Sequence, residues 1–225
     1  MQDELFGIDA PPEAPAGRTA KARRGVQPAL PLADDVALAA ALSDHIHLGT
    51  STWSYPGWQG LVWAGRHSES TLSKSGLTAY AAHPLLRAVG IDRGFYRALA
   101  ASEFQRHAEQ VPPGFRFTVK APSLVTDALL RSDHGRGQQP NPLFLDPATA
   151  RSDFIEPAFE GLGATLGALV FQISPLPALR LAHMNAQLDL LHTMLRALPR
   201  PDTGMLAVEV RDAAWLTPEI GRAHV

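Results

Sequence analysis

From residue 46 onward, short apolar runs alternate with longer segments of helical period. Residues 46–52, 88–92, 115–120, 166–173 and 205–211 read as strands, short and rich in Val, Ile, Leu and Phe. Between them, residues 77–86, 100–110, 148–162 and 179–198 read as helices, and an Ala/Leu-rich stretch at 34–42 as a short one before the first strand. Pro112-Pro113-Gly114 and Pro199-Arg200-Pro201 are stop signals for two of these helices. Two connections read as loops: 53–75, punctuated by Gly57, Gly60 and Gly65, and a later one carrying Gly135, Gly137, Pro140 and Pro142. Thr217-Pro218-Glu219 has the form of a helix start, a capping hydroxyl followed by Pro at the first helical position.

Five strand–helix cycles predict an α/β fold with a parallel sheet. Its two common forms are an open doubly wound sheet and a (β/α) barrel of the TIM type. The barrel needs eight strands and roughly 250 residues. A chain of 225 residues offering five strands is therefore expected to hold five of the eight, stopping about one turn into the helix after the fifth. A complete five-stranded open sheet has the same periodicity.

Residues 1–44 are expected to form a mostly disordered arm with the one short helix, and residues 45–225 the partial barrel. The arm is Pro/Ala/Glu-rich at 11–15 and basic at 18–24, a composition with too little apolar surface to offset the entropy of ordering. Elsewhere the chain is ordinary: hydrophobic residues are 45%, charged residues 19%, and the net charge is -2, which gives no overall attraction to nucleic acid. With no cysteine, disulfides, thiolate metal sites and thiol nucleophiles are all excluded. No apolar run approaches the ~20 residues of a membrane helix, and the acidic, proline-rich start lacks a signal-peptide core. The expectation is a cytoplasmic protein with no membrane association.

Side chains alternate faces along a strand. Arg116, Thr118 and Lys120 share one face of the third strand, opposite Phe115, Phe117 and Val119. Glu209 and Arg211 share a face of the fifth, while Gln172 and Asp92 oppose apolar neighbours in the fourth and second. Asp92, Lys120, Gln172, Glu209 and Arg211 should therefore converge at the carboxyl ends of parallel strands, where such folds bind ligands. As catalytic candidates, Glu209 and Asp92 could exchange protons while Lys120 and Arg211 hold an anion. The same residues could equally form a network of ion pairs that only satisfies the barrel interior.

The loop after the first strand carries Trp53, Tyr55, Trp58 and Trp63, three of the chain's four tryptophans among them. With Tyr96 and Trp215, Trp53, Tyr55 and Trp58 are candidates to stack on a base, a sugar or another flat group at the mouth. Packing as a plug over the core is the other reading.

These residues also carry a family resemblance. The run from His47 through Thr50 and Trp53 to Trp58 resembles the opening signature of the YecE-like family, a domain of unknown function. Phe95-Tyr96-Arg97, the segment Pro113 to Ala121, Leu169 to Pro175, and Val208-Glu209-Val210-Arg211 with Trp215 resemble its next blocks in order. The resemblance implies a TIM-like barrel and supplies no reaction. It also marks a departure: where the family has a Glu two residues before an Asn in the second strand, this chain has Gly90 and Asp92. Barrels of similar architecture that use metals need several His and carboxylate ligands at strand ends. Here His83, His107, His183 and His192 fall in predicted helices, so neither a metal nor another cofactor is expected.

Gln2-Asp3-Glu4-Leu5-Phe6 has the form Gln-x-x-Leu-Phe and resembles the peptide by which bacterial replication and repair proteins dock on the DNA sliding clamp. Gln2, Leu5 and Phe6 would make the contacts, and residues 27–32 repeat the spacing loosely. Three functional expectations follow. One is nucleic-acid association through the arm, the basic run with Arg23 and Arg24, and the aromatic loop. The second is a hydrolase or isomerase acting on a sugar or phosphorylated small molecule at the rim. The third is a truncated remnant without activity.

Overall fold

The computed structural model describes residues 25–131 and 137–216. Five strands form one parallel sheet: β1 (Gly49–Thr50), β2 (Ala88–Ile91), β3 (Arg116–Lys120), β6 (Leu166–Gln172) and β7 (Met205–Glu209), in that spatial order. All five are where the alternation predicts them. The first is much shorter than 46–52, because only two residues reach register with β2. Between β3 and β6, β4 (Leu129–Arg131) and β5 (Gly137–Pro140) pair as an antiparallel hairpin. The Gly/Pro punctuation predicts a loop there, and the hairpin corrects that expectation.

The five expected strands form an open sheet, with β1 and β7 as its two edges and no closed barrel. Five strands leave too wide an arc to close, since small barrels of this kind need about eight. One face is covered by helices. Val89, Ile91, Phe117, Val119, Leu169 and Phe171 point into that core and are buried, with Phe154 set edge-on against Phe171 at 5.5 Å. On the opposite face, Thr118, Lys120, Val170, Gln172, Ala207 and Glu209 remain partly or fully exposed. A parallel sheet is ordinarily covered on both sides.

The helices follow local capping chemistry but break more often than their periodicity predicts. α1 (Ala33–Ala41) precedes β1. The helix expected at 77–86 is the shorter α3 (Leu77–Ala81), and the stretch expected as a loop at 53–75 ends in a further helix, α2 (Glu69–Ser75), which meets α3 at Gly76. α2 starts at Ser68, whose hydroxyl accepts the Thr71 N–H at 3.2 Å. After β2 comes α4 (Ala101–Ala108), and after β3 the single turn α5 (Ser123–Thr126). The helix expected at 148–162 begins one residue earlier, as α6 (Pro147–Ala150), capped by Asp146 accepting from Thr149 N–H at 2.7 Å. It widens into a π-turn at Arg151–Ile155 and continues as α7 (Glu156–Leu162). Pro157 offers no N–H to close an ordinary turn there. α8 (Ala178–Leu181) and α9 (Met184–Ala197) replace the single helix expected at 179–198. Gly161 lets α7 lie directly on α4, since a Cβ there would meet the Ala101 carbonyl and Phe104.

The arm also departs from expectation within its described part. Ala29 N–H donates to Val62 O at 2.9 Å, Ala64 N–H donates to Gln27 O at 3.0 Å, and Val26 is buried. Residues 25–29 are thus bound to the tryptophan loop, because their backbone groups find partners there that composition does not reveal.

Candidate functional site

Asp92, Lys120, Gln172 and Glu209 all sit at the carboxyl ends of their strands. Register places the last three on one face: Lys120 stands beside Val170, Val170 beside Ala207, and two residues on, Gln172 beside Glu209. The structure joins the charged members as two pairs. Lys120 Nζ lies 3.4 Å from Asp92 Oδ1, and Arg211 Nε and Nη2 both lie 3.0 Å from Glu209 Oε1. Both pairs are partly exposed, so they belong to an accessible rim rather than to a sealed core. Between them, the side-chain oxygen of Gln172 is buried without a hydrogen-bond partner. An acceptor left in this state costs stability, and a bound donor would relieve it.

A cavity of about 720 Å³ lies in the connections that follow β2 and β3, lined by Phe95 to Ala98, Pro122 to Val125, the base of the hairpin and Asp153. Its size is that of a small-molecule site. Tyr96 stands on its lip, 84% exposed. Arg97, in its wall, grips Glu103 through two hydrogen bonds of 2.9 and 2.6 Å.

The aromatic loop corrects the stacking expectation in part. Trp53 is buried, with its ring edge-on to His107 at 5.2 Å. Trp63 is fully buried and donates its indole N–H to Tyr55 O at 3.0 Å. Trp58 packs on Trp63 and Tyr80, and Trp215 is 1% exposed. Trp53 and Trp215 therefore present no open ring face for stacking: Trp53 lies against His107 of α4, and Trp215, outside this loop, is buried in the turn after β7. Tyr55 and Tyr96 alone among these aromatics are well exposed. Gln2, Leu5, Phe6, Arg23 and Arg24 lie outside the described residues.

Sequence reasoning missed a second cluster. Lys74, Arg93, Arg106 and His107 line one small cleft beside Trp53. His107 is held below the usual imidazole range, first by burial and then by repulsion from Arg93 and Arg106. The adjacency Arg106-His107 was visible, but nothing local tied it to Lys74 or Arg93.

A family model described as "Protein of unknown function DUF72" matches residues 47–224. Among solved structures, a DUF72 family protein from Enterococcus faecalis is 18% identical, with a TM-score of 0.50 over 79% of this chain and 55% of that one. A DUF72 family protein from Thermotoga maritima is 22% identical, with a TM-score of 0.49 over 78% of this chain and 59% of that one. The chain thus spans somewhat over half the length of the structures it matches. No curated protein matches it. Among the described residues, no helix is long and apolar enough to cross a membrane.

Proposed function

Since the chain belongs to DUF72, the family of unknown function whose YecE-like signature opens at His47, we propose that it binds a small polar molecule over the carboxyl ends of its strands and catalyses a hydrolysis or isomerisation there. One observation carries this reading: Lys120, Gln172 and Glu209, from three adjacent strands, share one face at one end of the sheet. Glu209 is the proton-transfer group, held in place by Arg211. Lys120, anchored by Asp92, faces the negative charge that develops on the substrate. Gln172 receives a substrate hydroxyl on its unpaired oxygen. A sugar or a sugar phosphate supplies such groups. The sheet itself is proposed to be five consecutive strands of a (β/α) barrel, with the polar open face as the lumen side.

The test is a thermal-shift screen of sugars and sugar phosphates, followed by turnover assays on the compounds that bind. Lys120→Met should lose the stabilisation given by the active compound. Glu209→Gln should keep binding and lose turnover. Unchanged turnover in Glu209→Gln, with the fold intact, would remove this residue from the chemistry.

A second reading rests on Gln2-Asp3-Glu4-Leu5-Phe6, which is proposed to dock on a bacterial sliding clamp. A peptide of residues 1–10 should bind the clamp, and Leu5→Ala with Phe6→Ala should abolish binding. Affinity no tighter than millimolar for the native peptide would dispose of this reading.

A further inference from the structure

The cleft beside Trp53 is separate from the rim chemistry in its residues and in its charge. Ser73 and Lys74 come from the last turn of α2, Arg93 from the turn after β2, and Arg106 and His107 from the last turn of α4. They enclose about 220 Å³. That is below the roughly 300–1,000 Å³ of sites for drug-sized ligands, and suits a compact group. A neighbouring recess of about 170 Å³ shares Trp53, Ser73, Arg93 and His107 and extends toward Asp92, leaving room for a substituent.

The charge balance is uneven. Lys74, Arg93 and Arg106 make no ion pair with any described residue. Arg93 is steered by a hydrogen bond to Ser73 Oγ at 3.2 Å. The carboxylate in the cleft wall, Glu103, is already occupied: Arg97 holds both its oxygens, and the Ala100 N–H donates to it at 3.1 Å. Arg106 therefore feels Glu103 only at longer range. The carboxylate bordering the recess, Asp92, is paired with Lys120. Three cations thus converge with their local counter-charges committed elsewhere. Two are guanidinium groups, whose planar fork matches the oxygens of a phosphate. The floor is closed by Trp53 and His107, whose indole nitrogen and Nδ1 are buried without partners.

We propose that this cleft binds a phosphate group, either as the free ion or as the terminal group of a small monoester. Arg93 and Arg106 grip its oxygens, Ser73 and Lys74 complete the shell, and the anion raises the proton affinity of His107 beneath, which burial first and the two arginines second hold low, by offsetting the arginines' repulsion. Glu103 also faces His107 and favours its protonation, though more weakly than the arginines oppose it.

Calorimetric titration of the full chain at low ionic strength, with inorganic phosphate and with glycerol phosphate, tests the assignment. One saturable site is expected. Arg93→Gln and Arg106→Gln should each weaken it at least tenfold, and Lys74→Gln by less. Lys120→Met, the variant that removes binding at the rim, should leave this affinity unchanged, so failure here and failure of the rim reading are distinguishable. The His107 imidazole, followed by NMR, should titrate at higher pH with phosphate bound. Binding of both compounds identifies a monoester site, and binding of phosphate alone a site for the free ion. No saturable binding of either, undiminished affinity in the Arg93→Gln/Arg106→Gln double variant, or binding of duplex DNA without binding of the small phosphates would each overturn the proposal.

Discussion

The hydroxyl of Tyr80 accepts the backbone N–H of Thr50 at 3.2 Å and lies 2.8 Å from that residue's own hydroxyl. It also donates to the Ala88 carbonyl at 3.0 Å, so one side chain from α3 ties the two-residue edge strand β1 to β2. Burial raises the Tyr80 hydroxyl above its ordinary pKa, which keeps it a neutral donor at any physiological pH.

Tyr80→Phe should therefore cost about 1–3 kcal/mol, the range for leaving buried polar groups unpaired. Urea unfolding monitored by fluorescence measures it. A loss indistinguishable from zero would mean that β1 is held by its ladder bonds alone.

Gly90 is where this chain departs from the YecE-like pattern, and a Cβ there would stand 2.6 Å from the Ser51 carbonyl oxygen. The chain leaving β1 has closed over this position. Gly90→Glu should displace Ser51 and lower the melting temperature by several degrees, with Gly90→Ala giving a smaller drop in the same direction. Native-like melting of Gly90→Glu would show that the Ser51 segment moves aside freely.

Asp92 and Lys120 form a partly exposed pair, so their coupling should be below about 1 kcal/mol in a double-mutant cycle of Asp92→Asn and Lys120→Met, and should shrink in salt. A coupling of several kcal/mol would make the pair a structural element. A weak one leaves Lys120 free to exchange its partner for a ligand.

Acid should destabilise the protein in two steps. His107 titrates below the usual imidazole range when folded, so the unfolded chain binds its proton first. Its contribution is complete above about pH 6.5 and is lost as pH falls below that value. Glu103 is lowered to about 2 from 4.5, chiefly by the hydrogen bonds from Arg97. Its contribution is complete above that ordinary value and disappears as pH falls toward 2. The urea midpoint should follow both windows, with His107→Gln flattening the upper one and Glu103→Gln the lower. An unaltered upper window in His107→Gln would refute the assignment.

Local alternation was enough to place five strands in order and to put Lys120, Gln172 and Glu209 on one face, because the period of two is a property of the extended backbone itself. Family blocks were legible for the same reason, being contiguous. Other features depended on residues far apart in the chain. Trp53 and Trp215 were equally consistent with an open mouth or a plugged core until helices packed over them. The hairpin of Leu129–Arg131 with Gly137–Pro140 arises from pairing across a segment whose Gly and Pro content signals a loop. The basic cleft draws on residues 53, 73–74, 93 and 106–107, brought together because α2 and α4 pack beside the turn that follows β2. Sequence periodicity determines which way a side chain points from its own element. Which charges end up unpaired beside one another is decided only when those elements dock, since that depends on distances no local pattern encodes.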